Sequence, residues 1–186
     1  MTLNVVRTNH DWYLLTEAGA ARIDTSAETT AELFSDLDAV YKAREAKEFS
    51  ELANLELVAP VTTPCRVIAQ MTNYVSHVTD VGLDPAGIPL TFFRKSSASI
   101  TGPHDDIVKP AHVRLLDYEV EIGFVLGVDL PAGSEVSEVD LPTLVRALVL
   151  TNDVSARDVQ LVKSQFYEAK SYPTFTPTGP VLAILE

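Results

Sequence analysis

Residues 117–126 read Asp117-Tyr118-Glu119-Val120-Glu121-Ile122-Gly123-Phe124-Val125-Leu126. The two-residue period of a β-strand places two sets of side chains on opposite faces, with Asp117, Glu119 and Glu121 on one and Tyr118, Val120 and Ile122 on the other. This alternation is typical of a half-buried strand whose polar face meets water. The stretch then becomes apolar on both faces from Phe124 to Leu126, however, and carboxylates that run into a buried strand need a compensating partner.

A divalent cation would be such a partner, because Mg²⁺, Mn²⁺ and Ca²⁺ all prefer carboxylate oxygens. Glu119 and Glu121 are two residues apart and could reach one ion if the strand faces a cavity. Asp153 follows an apolar strand and precedes a predicted helix, a common position for a ligand, and it would complete a three-carboxylate site. The alternative is helix capping by Asp153 or Ser155, with Arg157 in a surface ion pair.

The second part of the chain is rich in predicted strands, interrupted by Gly and Pro turns: Arg66–Met71, Leu90–Arg94, Leu115–Val128, Leu148–Asn152 and Gly179–Leu185. Two helices are predicted between them, Val139–Ala147 and Ser155–Val162, the second with Ser155 as its N-cap. Frequent strands with few helices predict an α+β, mostly β architecture and argue against a doubly wound sheet.

The first fifty residues predict a small unit with three short strands and a helix. The strands are Leu3–Val6, Trp12–Leu15 and Ala21–Ile23, and apolar residues recur at helical spacing from Thr29. The segment Val58–Pro64 contains two prolines and reads as a linker. We therefore expect a small N-terminal α/β domain at residues 1–60 and a main domain at residues 61–186.

Composition limits the classes of partner and compartment. The 186 residues include 14 Lys and Arg against 26 Asp and Glu, a net charge of −12 that disfavours nucleic acids and anionic membranes as partners. Cys65 is the only cysteine, which excludes an internal disulfide and fits a reducing compartment. Apolar stretches fall far short of the roughly 20 residues that span a bilayer, and the N-terminus lacks the pattern of a secretion signal. We expect a cytoplasmic protein.

Two further regions contain candidate catalytic residues. His77 follows the first predicted strand of the main domain, and Asp80 would lie on the same face of a helix, where it could orient the imidazole. The alternative is an ordinary surface pair. The segment Lys170–Pro180 is rich in turn-forming residues and is either a loop that covers a site or a connector.

Five pieces of the sequence occur in an order that resembles the fumarylacetoacetate hydrolase superfamily from about Arg66 to Pro180. They are Asn73-Tyr74 with His77, Phe93-Arg94-Lys95 with Thr101-Gly102-Pro103, Asp117–Glu121, Asn152–Asp158 with Gln160, and Lys170-Ser171 with Thr178-Gly179-Pro180. The preceding segment resembles the small N-terminal domain of many members. The resemblance implies a mixed β-roll that holds Mg²⁺ or Mn²⁺, usually in a homodimer.

The resemblance also implies roles for particular residues. It assigns metal binding to Glu119, Glu121 and Asp153 and the role of general base or water activator to His77. Gln160 and Lys170 match positions that contact the substrate or stabilise its developing charge. The sequence departs from the family pattern at Asp80, where members usually have Glu, and at the C-terminus, where the family continues beyond Gly179-Pro180. We expect the catalytic domain to be incomplete there, with further strands supplied by a longer polypeptide or a partner chain.

The expected function is metal-dependent hydrolysis of carbon–carbon bonds in small 2,4-dioxo, acylpyruvate-like carboxylates through a stabilised enolate. His77 would activate the water, with Asp80 as its orienting group, and Lys170 would neutralise developing charge. Decarboxylation, hydration or keto–enol isomerisation of related 2-oxo acids uses the same chemistry. A truncated, non-catalytic family member is the alternative from another class.

Overall fold

The computed structural model describes residues 2–71, 74–80, 82, 84–87, 89–163 and 165–186, with the backbone alone at residues 77, 80 and 85. The strands are β1 (Thr2–Arg7), β2 (Trp12–Thr16), β3 (Gly19–Arg22), β4 (Val67–Met71), β5 (Thr91–Lys95), β6 (Ile100–Thr101), β7 (Leu116–Asp117), β8 (Val120–Leu126), β9 (Val145–Asn152), β10 (Ser155–Ala156) and β11 (Thr176–Leu185). The α-helices are α1 (Thr30–Ser35), α2 (Leu37–Lys42), α3 (Val75–Asp80), α4 (Leu141–Leu144) and α5 (Arg157–Gln160). The chain is thus α+β and mostly sheet, and none of its described helices is long and apolar enough to cross a membrane.

The main sheet joins the N-terminal strands to the later ones in the order β3-β2-β1-β11-β9-β8, with β6 beside β11. Strand β1 pairs antiparallel with β11, so that Val5 lies opposite Leu182, and Leu182 lies opposite Val149 of β9. All three side chains belong to one hydrophobic cluster. Residues from both sides of Pro60 therefore share a sheet and a core, while the division into two domains at residue 60 remains a prediction.

Helices α1 and α2 cover this core. Thr29 caps α1, and its side chain and that of Glu32 form reciprocal bonds with the backbone, which explains why the helix begins where the periodicity predicted. Leu33 and Val40 are fully buried in the same cluster as the sheet residues. Burial of this apolar face holds two helices that are too short to be stable alone.

Two predicted helices are shorter in the structure. The segment predicted as the helix Val139–Ala147 ends its helical part with α4 and continues as β9 from Val145. Hydrogen bonding of β9 to strands on both sides, with Ala147 buried in the core, overrides its helix propensity. Ser155 is not a helix N-cap: it belongs to β10, and its hydroxyl donates to the Asp153 carbonyl.

The two faces of strand β8 are reversed compared with those of an ordinary half-buried surface strand, in which the apolar side chains are buried and the polar ones are exposed. Its apolar side chains face outward, with exposures of 64% at Val120, 56% at Ile122 and 68% at Phe124, while Glu121 is half-buried. The interpretation in which the carboxylates line a water-facing side is therefore wrong. In the described part of the chain β8 is an edge strand paired with β9 alone.

Candidate functional site

The backbone register of β8 and β9 brings two acidic side chains together. Val120 lies opposite Asn152, so that Glu119 and Asp153 sit side by side at the end of the strand pair. The Asp153 amide donates to the Glu119 carbonyl at 2.7 Å, and the Glu119 amide donates to Asn152 Oδ1 at 3.0 Å. Residues distant in sequence are thereby fixed as neighbours by main-chain hydrogen bonds.

Lys170 bridges these two carboxylates. Its Nζ donates to Glu119 Oε2 at 2.9 Å and forms a shorter bond with Asp153 Oδ2. The three side chains are 3%, 17% and 10% exposed, respectively, so that the ion pairs are little screened by water. The ammonium also lies 5.2 Å from the ring centroid of Phe93. The structure thus places Lys170, Glu119 and Asp153 in one buried cluster.

Lys95 is a second buried lysine at the same aspartate, and the sequence predicts no role for it. Its Nζ donates to Asp153 Oδ1 at 2.5 Å and to the Phe175 carbonyl at 2.9 Å. Burial lowers the pKa of Lys95 below its usual value, although the neighbouring Asp153 opposes the shift. The available signal was the position of Lys95 directly after the predicted strand Leu90–Arg94, since a lysine that is buried at a strand end needs an acidic partner.

Arg157 belongs to the site and is not a simple surface pair. Its Nε donates to Asp117 Oδ2 at 2.9 Å, a second nitrogen bonds Glu119 Oε1, and Nη1 donates to Gln160 Oε1 at 2.8 Å. Burial works against the charged guanidinium, but the bonds to Asp117 and Glu119 outweigh it and raise the pKa of Arg157. Gln160 is therefore held at the cluster through Arg157.

Glu121 is the third predicted carboxylate, and its partner is a phenol. Burial raises the pKa of Glu121, and repulsion by Glu119 and Asp153 adds to the shift, while a hydrogen bond with Tyr74 opposes it. The negative charge of Glu121 in turn raises the pKa of Tyr74. Tyr74 immediately precedes α3, so that this bond connects the start of that helix to the acidic cluster.

His77 and Asp80 both lie on α3, at the three-residue spacing predicted for them. Their side chains are outside the described residues, and their catalytic roles stay predictions. Among the residues that the structure does describe, no three His, Cys, Asp or Glu side chains form a ready metal-binding group. The donor chemistry nevertheless fits a hard divalent cation, because Glu119, Glu121 and Asp153 offer carboxylate oxygens, and burial together with repulsion by the other two carboxylates raises the Glu121 pKa.

Comparison with known proteins identifies the family. The model of the fumarylacetoacetate (FAA) hydrolase C-terminal domain matches residues 66–185. The chain belongs to the fumarylacetoacetate hydrolase family. A relative from Xenopus laevis, the mitochondrial oxaloacetate tautomerase fahd2, is 36% identical over 132 residues. The match covers 70% of this chain and 40% of that protein, so that the chain spans about two fifths of this relative.

Solved structures of the family share the fold over nearly the whole chain. A probable 2-hydroxyhepta-2,4-diene-1,7-dioate isomerase from Mycobacterium abscessus is 31% identical, with a TM-score of 0.78, and the match covers 99% of this chain and 64% of that one. A maleylpyruvate hydrolase from Sphingobium sp. SYK-6, solved with manganese (II) ion and pyruvate, is 22% identical with a TM-score of 0.75 over 98% of this chain and 67% of that one. The second likeness concerns the fold alone.

Proposed function

We propose that this chain carries the site of a divalent-metal-dependent enzyme that forms the enolate of small 2-oxo carboxylates. The observation that supports this proposal is the buried cluster in which Glu119 and Asp153 share the ammonium of Lys170. A structural ion pair needs one carboxylate, whereas this cluster gathers several carboxylates and several cations around one point. Such buried clusters of several interacting charges are typical of functional sites.

In this proposal Glu119, Glu121 and Asp153 hold Mg²⁺ or Mn²⁺, and Ca²⁺ would suit the same oxygen donors. The bound ion would act as a Lewis acid on the substrate carbonyl and lower the energy of the enolate. The protein side chains supply the remaining functions. Arg157 holds Glu119 through a charge-assisted hydrogen bond, and Tyr74 holds Glu121, which orients the two carboxylates before any ligand arrives.

Lys170 is the group that would receive negative charge. Its side chain is 3% exposed, so that the interaction of its ammonium with a developing enolate oxygen would be stronger than it is in water. Gln160, held by Arg157, would contact the substrate carboxylate or carbonyl. His77 would remove or deliver the proton at the carbon next to the carbonyl, with Asp80 as its orienting group.

Keto–enol tautomerisation is the reaction that requires the fewest steps from these residues. It requires one proton to leave carbon and one to reach oxygen, and it breaks no carbon–carbon bond. The 36% identical frog relative is an oxaloacetate tautomerase, which favours a dicarboxylic 2-oxo acid as substrate. Hydrolysis of a carbon–carbon bond in a 2,4-dioxo acid is the second candidate, because α3 would bring a water-activating His77 to the same cluster through Tyr74.

An ultraviolet assay distinguishes these reactions. Purified protein is mixed with oxaloacetate enol or with acylpyruvates, in the presence of Mn²⁺ and then of excess EDTA. We expect metal-dependent turnover by the wild type and its loss in Glu119→Gln with the fold retained. Glu168→Gln is the matched control, because Glu168 lies outside the cluster and forms an exposed pair with Lys163. Turnover that survives in Glu119→Gln would contradict the proposal.

The assembly is also a proposal. The exposed apolar face of β8, together with Tyr118 at 73% exposure, is a surface of the kind that subunits bury. We propose a homodimer in which a second copy covers it. A small anionic 2-oxo acid is the proposed ligand, nucleic acids and membranes are not proposed as partners, and a cytoplasmic location remains an expectation.

A further inference from the structure

The carboxylate of Asp153 is bonded by a different lysine on each of its oxygens. Lys95 donates to Oδ1 at 2.5 Å, and Lys170 bonds Oδ2. The other contacts of the two lysines differ in kind. Lys170 reaches a second carboxylate, that of Glu119, whereas Lys95 reaches a backbone carbonyl, that of Phe175.

These second contacts show which lysine is fixed by the fold. Lys95 is the last residue of β5 and its side chain is 2% exposed. Phe175 is fully buried, and its carbonyl also accepts the Val154 amide at 3.2 Å. The ammonium of Lys95 is therefore held between an aspartate and a main-chain oxygen that is itself tied to the residue after Asp153.

We infer that Lys95 is a positioning residue that occupies Asp153 Oδ1 and leaves Oδ2 as the oxygen offered to a divalent cation. The inference rests on the proposed metal-binding function. Lys170 contacts one oxygen of each of two proposed ligands, so that a cation competes with Lys170 and not with Lys95. Asp153 would accordingly bind the cation through a single oxygen.

Removing Lys95 would release this orientation. Loss of a hydrogen-bonding partner behind a ligand costs on the order of 10–100-fold in metal affinity. We therefore expect Lys95→Met to weaken Mn²⁺ binding by that factor. Lys170→Met changes the other oxygen of the same aspartate, and we expect it to strengthen Mn²⁺ binding because the competing ammonium is gone.

The experiment measures Mn²⁺ binding calorimetrically on the full chain, without substrate, in six proteins: wild type, Lys95→Met, Lys170→Met, Asp153→Asn, the double variant Lys95→Met/Asp153→Asn and the control Lys109→Met. If Lys95 acts through Asp153, the Lys95→Met effect disappears in the Asp153→Asn background, within about twofold, the scatter of uncoupled sites. Lys109→Met is the control, because Lys109 also donates to a carbonyl, that of Val113, but contacts no carboxylate in the described structure. We expect wild-type affinity from it.

Three outcomes overturn the inference. The first is Lys95→Met affinity within about twofold of the wild type, with circular dichroism showing a retained fold. The second is a Lys95→Met effect that persists in the Asp153→Asn background. This effect is the difference in affinity between Asp153→Asn and the double variant, so that it can be measured even if Lys95→Met alone does not fold. The third is a wild type that binds no Mn²⁺, which refutes the proposed function as well, whereas the first two leave that function intact.

Discussion

Replacement of Lys170 by Met should destabilise the protein by an amount that the contacts allow us to estimate. The Lys170 side chain is 3% exposed, and its ammonium pairs with Glu119 and Asp153, whose side chains are 17% and 10% exposed. Removing one partner of a buried ion pair costs about 3–5 kcal/mol, because the other charge is left without compensation. In Lys170→Met, Glu119 is still paired with Arg157 and Asp153 is still paired with Lys95. Because neither carboxylate is left without a cation, we expect the lower end of that range, about 3 kcal/mol.

Added Mn²⁺ should restore much of this loss. A ligand that binds only the folded state adds about 2.7 kcal/mol at one hundred times its dissociation constant. In the proposed site the cation would have to displace the ammonium of Lys170 in the wild type, and it would not have to do so in Lys170→Met. We therefore expect Mn²⁺ to stabilise the variant more than the wild type. Urea unfolding followed by circular dichroism, with and without Mn²⁺, measures both free energies.

Lys163→Met provides the control for this measurement. Lys163 also pairs with a carboxylate, that of Glu168, but both side chains are nearly half exposed. Exposed pairs contribute at most about 1 kcal/mol, so that this variant should unfold close to the wild type. The reasoning would be refuted if Lys170→Met and Lys163→Met lost equal stability. It would also be refuted if Mn²⁺ stabilised the wild type more than Lys170→Met.

Two further predictions concern pH and assembly. Because the pKa of Glu121 is raised above its usual 4.5, its stabilising contribution is present at low pH and is lost as the pH rises through the raised value. Without metal, Glu121→Gln should therefore be more stable than the wild type near neutral pH, and this difference in stability should disappear well below the usual pKa of a glutamate. Urea unfolding at the two pH values measures the difference. An equal difference at the two pH values would contradict the prediction. Ile122→Lys should lower the mass measured by light scattering if a second copy covers the 56% exposed Ile122, whereas the Leu161→Lys control, 79% exposed and outside β8, should leave it unchanged.

The sequence predicted the strands better than the ends of the helices. The predicted strands Arg66–Met71, Leu90–Arg94 and Gly179–Leu185 lie within three residues of β4, β5 and β11, whereas the single predicted strand Leu115–Val128 is divided in the structure into β7 and β8. The end of α4 depends instead on how β9 pairs with strands on either side, and Ser155 of β10 pairs with Asp117 of β7 instead of capping a helix. Such long-range pairing leaves no local signature.

The residues of the site likewise divide into those that the sequence predicts and those that it does not. Glu119, Glu121 and Asp153 could be grouped from the sequence because carboxylates beside buried strands need compensation. The compensating groups could not be identified, because the sequence does not show which of the chain's 14 basic residues would be buried. The sequence predicts Arg157 only as part of the alternative, in a surface ion pair, and predicts no role for Lys95, although both bond the predicted ligands.

Counting the charges of the cluster suggests why a further cation would be favoured there. Asp117, Glu119, Glu121 and Asp153 contribute four negative charges, and Lys95, Lys170 and Arg157 contribute three positive ones, which leaves one negative charge in excess. The structure identifies where the excess lies. Among the described residues Glu121 has no ion pair, and its raised pKa reflects burial and the repulsion of Glu119 and Asp153. A divalent cation would reverse that balance, lower the Glu121 pKa and leave the pocket positive, which is the sign that an anionic 2-oxo acid requires.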